Sequence, residues 1–251
     1  MVDPVVVVML AVAALLAGTV DAIAGGGGLI TLPALLAAGL PPHLALGTNK
    51  GGSVWGSGSA LVTYYRAGRV DMTRALVWFV LAIGGSFVGA QLQLLLDPAT
   101  LRPVVIAMLI GAAVLLMVKK PSRDEDGPPT HPAIAAMLAL VIGAYDGFFG
   151  PGTGTFLIVG FVAWCGMSMV RATANAKVVN FASNLAALAA FARAGTVVWR
   201  IALPMAAGQL VGGLIGARLA IKGGATLVRI MVLLVSGALV IKVAHDLVKS
   251  W

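Results

Sequence analysis

Residues 21–28 read DAIAGGGG, and residues 146–154 read DGFFGPGTG. Asp21 and Gly25 therefore recur as Asp146 and Gly150 at one constant separation (146 − 21 = 125 and 150 − 25 = 125). Similar separations join Thr48 to Thr173 (173 − 48 = 125), Lys50 to Lys177 (177 − 50 = 127), Arg66 to Arg193 (193 − 66 = 127) and Gly89 to Gly216 (216 − 89 = 127). A nearly constant separation across most of each half indicates a duplicated unit, which is how many secondary transporters are built.

The composition is that of an integral membrane protein. Of the 251 residues, 60% are hydrophobic and 10% are charged, and the mean hydropathy is +1.01, whereas about 25% of the residues of a soluble domain are charged. The net charge of +8 is carried mostly between apolar runs, where the positive-inside bias and anionic lipid headgroups account for it. We therefore expect the lipid bilayer as a partner and no nucleic acid.

Apolar runs divide the chain into ten predicted helical segments. Those of the first half are at 4–23, 29–39, 44–65, 74–96 and 100–118; those of the second are at 132–147, 153–166, 172–192, 199–221 and 225–247. The sequence thus predicts an all-α polytopic membrane protein with a single membrane domain, residues 1–251. It contains two inverted five-segment repeats, residues 1–120 and 132–251, joined by a polar linker at 121–131. The first apolar run, which begins at Val5, has no basic leader and is expected to belong to the mature fold rather than to a signal peptide.

The second segment of each half follows a glycine cluster and is short for a membrane span, which needs about 20 residues. This pattern favours a broken or re-entrant helix at each glycine-rich stretch, buried in protein or lining a wet cavity. The alternative is that the glycines serve close helix packing. The basic residues leave the orientation open, because two different sets of spans produce the same charge imbalance.

Four charged residues lie inside or at the ends of apolar segments. Asp21 and Asp146 precede the glycine clusters, and they are either a proton or ion relay beside a substrate cavity or carboxylates that cap the glycine turns. Lys50 and Lys177 lie near helix N-termini, whose free amides and partial positive charge favour an anion. Alternatively, Lys50 pairs with Asp21 and Lys177 with Asp146, or each lysine pairs with the aspartate of the opposite half, and the pairs only neutralise buried charge.

Polar side chains near the lysines extend this candidate anion site. Asn180 and Asn184 lie four residues apart, on one face of a helix, and Ser53 and Ser57 are their repeat mates. This polar stripe either lines a cavity or forms hydrogen bonds between helices. The candidate substrate-binding residues are Lys50, Lys177, Thr48, Asn49, Thr173, Asn175, Asn180, Asn184, Gly27, Gly28, Gly152 and Gly154.

Other chemistries have weak support in the sequence. The glycine runs lack the spacing of phosphate-binding and dinucleotide-binding motifs, and His43, His131 and His245 have no repeat mates. We expect no metal, no cofactor and no enzymatic activity, although an intramembrane enzyme is a third class to weigh.

The chain resembles the TauE/SafE family of sulfite and sulfonate exporters, also called the anion permease family with two repeated halves. The motifs that carry the resemblance are AGGGGLI at 24–30, GLPP at 39–42, LGTNK at 46–50, YRAGRVD at 65–71, GFFGPGTG at 147–154 and RATANAKVVNFASN at 171–184. The two runs that contain lysine, at 46–50 and 171–184, are similar to the branch described only as probable membrane transporters. The resemblance implies a multi-pass protein of the inner or plasma membrane that moves small oxyanions or organosulfur anions, with proton coupling.

The leading prediction is a secondary transporter of a small anion, such as sulfite or a sulfonate, which works by alternating access between the two repeats. The alternative is a passive anion channel with the same cationic residues. The expected partners are the small anionic substrate, the bilayer and, if it oligomerises, a second copy of the chain.

Overall fold

The computed structural model describes residues 3–96 and 131–249, and within them the regular structure is entirely helical. The eight helices of this part are α1 (Pro4–Ala24), α2 (Gly28–Ala37), α3 (Pro42–Arg66), α4 (Met72–Leu94), α5 (Pro132–Phe148), α6 (Thr153–Cys165), α7 (Met169–Arg193) and α8 (Trp199–Lys249). The predicted segment at 100–118 and the predicted linker up to residue 130 lie outside the described residues. For the part that is described, the all-α prediction is confirmed.

Local sequence explains where several helices begin and end. The Asp3 side chain accepts a hydrogen bond from the amide of Val5 at 2.9 Å, and Pro4 occupies the first turn of α1, where its missing N–H has no consequence. Gly25 ends α1 in a left-handed conformation with φ +82°, which a side chain would disfavour. The segments predicted at 199–221 and 225–247 are the two helical parts of α8, and a kink at the non-helical Gly224 (φ +61°, ψ −158°) separates them.

Two of the helices, α2 and α6, are short. They contain 10 and 13 residues, fewer than the ~20 that cross a bilayer. Each begins directly after a glycine cluster and is followed by a helix of 25 residues, α3 or α7. The short second segments are therefore confirmed as short helices, while their re-entrance and the inversion of the halves stay predictions.

The packing of the helices follows the sequence repeat. The first helix of each half packs against the fourth of the other: α1 against α8, and α5 against α4. Glycines bring the backbones together at equivalent places, Gly212 against the carbonyl of Leu15, Gly85 against Leu140, Gly216 against Thr19, and Gly89 against Ala144. Because glycine has no Cβ, helices approach closely at such positions, as is common in membranes. The two halves are therefore interlocked, and neither has its own separate core.

The outer helices expose their apolar side chains. In α1, Val8 is 62% exposed, and in α4 Leu76 is 72% exposed. Among the described residues, two helices have the length and composition of a membrane span, Pro4–Ala24 with a mean hydropathy of 2.4 and Met72–Leu94 with 1.8. In contrast, α3 and α7 bury lysine, asparagine, threonine and serine side chains in the interior. An apolar exterior around a polar interior is the arrangement expected of a protein that faces lipid.

Candidate functional site

Both buried lysines form ion pairs with the aspartate of the opposite half. Lys50 of α3 lies 2.7 Å from Asp146 of α5, and Lys177 of α7 lies 2.8 Å from Asp21 of α1. The lysine side chains are 2% and 0% exposed, respectively. Because a buried ammonium is unfavourable without a partner, these pairs explain how the core holds two cations. Of the pairings considered from the sequence, the structure has the one between opposite halves.

Asp146 is surrounded by donors. Besides Lys50, its carboxylate accepts a short hydrogen bond from the Ser183 hydroxyl. The Thr153 hydroxyl lies 3.0 Å from Oδ1 of Asp146, but its single proton also faces the carbonyl of Gly150 at 2.6 Å. Lys50 in turn donates to Oδ1 of Asn184 at 2.9 Å. The Asp146 side chain is only 4% exposed. This cluster joins α3, α5, α6 and α7 at one point.

Asp21 has fewer partners, although it is the repeat mate of Asp146. One carboxylate oxygen accepts from Lys177, and the other accepts from the backbone amide of Gly27 at 3.3 Å. Its side chain is 20% exposed. The contact with Gly27 satisfies a free amide just before α2, which is the capping role considered from the sequence. The two carboxylates are thus equivalent in sequence but different in environment.

The two glycine clusters contact each other at the centre of the protein. The backbone at Gly25 lies directly against Gly154, and a Cβ on either residue would overlap the other's backbone. Nearby, a Cβ on Gly28 would lie 3.1 Å from Cα of Pro151, and the Thr155 hydroxyl donates to the carbonyl of Ala24 at 2.8 Å. The breaks before α2 and α6 therefore meet, and each is buried in protein as non-helical backbone at depth requires.

A polar cavity lies beside this crossing. Its lining residues come from α1, α2, α3, α5, α6, α7, α8 and the glycine breaks: Asp21, Gly25, Gly27, Gly28, Asn49, Lys50, Ser53, Asp146, Gly150, Thr153, Gly154, Asn180, Asn184 and Gln209. The space open to the centre of a water molecule is about 20 Å³, which is enough for one or two waters. The cavity thus combines a cation, two carboxylates and several amide and hydroxyl groups.

Most of the candidate site residues line this cavity, but five do not. Lys177 lies behind it, bonded to Asp21, and Gly152 faces the ring of Phe156 instead. The Thr173 hydroxyl donates to the carbonyl of Met169 within its own helix. Thr48 and Asn175 hold loop backbone, as described next.

Thr48 and Asn175 bind equivalent backbone amides in the two halves. The Thr48 hydroxyl accepts from the amide of Val198 at 3.0 Å, and Oδ1 of Asn175 accepts from the amide of Asp71 at 2.8 Å. Both the acceptors and the donors are separated by the same interval (175 − 48 = 127 and 198 − 71 = 127). The structure therefore pairs Thr48 with Asn175, not with Thr173, because the two-residue shift in the repeat comes before this point. Each side chain fixes the loop before the fourth helix of the opposite half.

We expect Thr48→Val to lower the free energy of unfolding by about 1–3 kcal/mol, because it leaves the amide of Val198 without an acceptor. Thermal unfolding of the purified protein in detergent measures the change. Thr63→Val is the matched control, since the Thr63 hydroxyl donates only to the carbonyl of Ser59 in its own helix. Equal melting temperatures for the two variants would contradict the assigned role of Thr48.

Sequence reasoning missed two polar groups at the cavity. In the sequence, Thr153 stands out only as part of a glycine-rich run, but in the structure its hydroxyl lies 3.0 Å from the Asp146 carboxylate. Gln209 of α8 is 2% exposed and has no polar repeat mate, since Ala82 occupies the corresponding position (209 − 127 = 82). Its one signal is that it is a single amide in an otherwise small and apolar run.

Buried ion pairs between opposite halves, a polar cavity beside two helix breaks and an apolar exterior define a helical membrane protein with an internal polar site. The family model described as "Sulfite exporter TauE/SafE" matches residues 10–243. The chain belongs to this family, as the motifs predicted.

Relatives cover nearly the whole chain. It is 40% identical over 237 residues to "Probable membrane transporter protein ORF9" of Sinorhizobium sp, with 94% of this chain and 91% of the relative covered. It is 37% identical over 248 residues to "Probable membrane transporter protein YfcA" of Escherichia coli K12, with 98% and 92% covered. A "Probable membrane transporter protein" of Haemophilus influenzae is 37% identical over 234 residues, with 92% and 91% covered. No solved structure matches the chain significantly. The family and these names indicate a membrane transporter.

Proposed function

We propose that the protein is a secondary transporter of a small anion, which binds in the polar cavity with Lys50 as its principal cation. The observation that carries this proposal is the position of Lys50. Of the two buried lysines, Lys50 alone lines the cavity, where Asn49, Asn184 and Gln209 add amide groups. An ammonium with nearby amides provides donors for the oxygens of a sulfite or sulfonate.

The substrate class comes from the family, whose model is named for sulfite export. A sulfonate or sulfite ion offers three oxygen acceptors around one sulfur. The anion would share Lys50 with Asp146 rather than replace it, because the Ser183 hydroxyl holds that carboxylate independently. Sulfite, sulfonates and related oxyanions are therefore the substrates we expect.

Transport requires the site to open, because a cavity of about 20 Å³ has room for water but not for an oxyanion. The described conformation corresponds to a closed state of the cycle. Access would alternate as one half moves against the other, and the contact between Gly25 and Gly154 lies where the two breaks meet. A channel would instead need a continuous open path, which a cavity this small does not favour.

The proposed arrangement in the membrane is that of two inverted repeats, with α2 and α6 as re-entrant helices whose first turns lie near the cavity. The protein would be a multi-pass component of the inner or plasma membrane. Coupling to protons would involve Asp21 or Asp146, the two carboxylates at the cavity. Membership of a transporter family supports transport over catalysis.

Reconstituted protein tests the function directly. Proteoliposomes that contain the full chain are assayed for counterflow of labelled sulfite, thiosulfate, methanesulfonate, sulfate and acetate, with sodium and rubidium as cation controls. We expect saturable exchange of at least one sulfur oxyanion and none of the cations. Exchange of cations alone, or large unsaturable currents, would refute the proposal.

A further inference from the structure

We infer that Asp21, and not Asp146, takes up the coupling proton, and that one proton accompanies each monovalent anion so that the transported unit is electrically neutral. This inference rests on the proposed function, because it assigns the coupling chemistry of the same cavity. It begins from the sum of the buried charges.

The charged groups at the site are balanced before any substrate enters. Lys50 and Lys177 provide two positive charges, and Asp21 and Asp146 provide two negative charges. A monoanion bound in the cavity would leave one uncompensated negative charge among side chains that are almost fully buried. Such a charge is strongly unfavourable in a protein interior. Protonation of one carboxylate restores neutrality, so anion and proton are expected to bind together.

The donors decide which carboxylate accepts the proton. Asp146 accepts from the Lys50 ammonium and from the Ser183 hydroxyl, and the Thr153 hydroxyl, shared with the carbonyl of Gly150, lies 3.0 Å from it. These groups occupy most of the lone pairs of the Asp146 carboxylate, which leaves few positions for a proton. Asp21 accepts from Lys177 and from a single backbone amide at a longer distance of 3.3 Å. Asp21 is also 20% exposed, against 4% for Asp146, so a proton reaches it more readily.

The other groups around Asp21 leave this assignment intact. Lys177 of α7 is its direct partner, while Lys50 of α3 and Asp146 of α5 line the same cavity. Tyr64 of α3 is near, but its hydroxyl donates to the carbonyl of Ala22 at 2.9 Å. The group from α8 in the cavity is Gln209, which carries no charge. After protonation, Asp21 still lies beside Lys177, and with the anion bound near Lys50 the total charge of the site is zero.

Methanesulfonate is the probe, because it stays a monoanion over the whole pH range of the assay and cannot itself carry the proton. Proteoliposomes with the full chain are clamped with potassium and valinomycin, and an internal dye records proton entry. We expect one proton per methanesulfonate and about tenfold accumulation for each pH unit of gradient, the limit for one-to-one coupling. A membrane potential of about 100 mV should leave this accumulation unchanged, whereas it would alter the distribution of an uncoupled monoanion about 50-fold.

Variants then assign the residue. In Asp21→Asn, the fold-reduction in pH-driven accumulation should be at least ~10 times the fold-reduction in counterflow exchange. Asp21→Glu should retain accumulation. Asp146→Asn should lower the rate but keep the pH dependence of the remaining transport.

A proton ratio near zero in the unmodified protein, or accumulation that follows the membrane potential, would overturn the inference without any variant. Loss of the pH dependence in Asp146→Asn but not in Asp21→Asn would overturn the assignment. If the unmodified protein shows no methanesulfonate exchange, the proposed transport of sulfonates fails together with it, whereas exchange without proton entry refutes only the coupling.

Discussion

Lys50→Ala is expected to abolish anion transport and to lower the free energy of unfolding by about 3–5 kcal/mol, the usual consequence of removing one partner of a buried ion pair. The substitution leaves the carboxylate of Asp146 with the Ser183 hydroxyl, a Thr153 hydroxyl that also faces the carbonyl of Gly150, and no cation. It also removes the ammonium that lines the cavity. Counterflow in proteoliposomes measures the first effect, and thermal unfolding in detergent measures the second.

The double variant Lys50→Ala with Asp146→Asn separates the two effects. It removes both charges, so most of the lost stability should return, because a neutral pair avoids the isolated charge. Transport should not return, because the cation is still missing. Lys222→Ala, a substitution of an exposed lysine on α8, is the control and should change neither property. Full transport by the double variant would show that Lys50 is structural and that the proposed site is wrong.

Gly25→Ala is expected to damage both folding and transport severely, although it adds only one methyl group. The left-handed conformation, with φ +82°, disfavours a Cβ by about 1–2 kcal/mol. The new methyl group would also overlap the backbone of Gly154, and overpacking adds about 1–3 kcal/mol. Because this contact joins the two helix breaks beside the cavity, we expect loss of both folded yield and transport.

Gly39→Ala is the matched control for this change. Gly39 has φ +87°, and a Cβ there would meet nothing within 4 Å. The variant therefore carries the conformational strain of a left-handed alanine without the overlap. The difference in melting temperature between the two variants measures the contact itself. Equal destabilisation by both would mean that the Gly25 to Gly154 contact contributes nothing.

Much of the fold was predictable because helices that span a membrane require long apolar runs, which are visible in the sequence. The apolar runs predicted α1, α4 and α5 to within a few residues, and the glycine clusters predicted the short α2 and α6. The break within α8 was also predictable, since Gly223 and Gly224 are typical of a break and the backbone at Gly224 is non-helical. The register of the repeat between Gly150 and Lys177 needed the structure, because both Thr173 and Asn175 are polar matches for Thr48.

The sequence alone determined that the protein is a duplicated, helical membrane protein with two aspartates and two lysines in its core. Composition and spacing decide these properties, because each half must bury its polar residues away from lipid. The tertiary structure decided which charges meet: Lys50 with Asp146 and Lys177 with Asp21. It also decided that the two carboxylates, though equivalent in sequence, differ in donors and exposure. The reason is that pairing between halves depends on how the helices cross, and the spacing of residues within one half carries no record of that crossing.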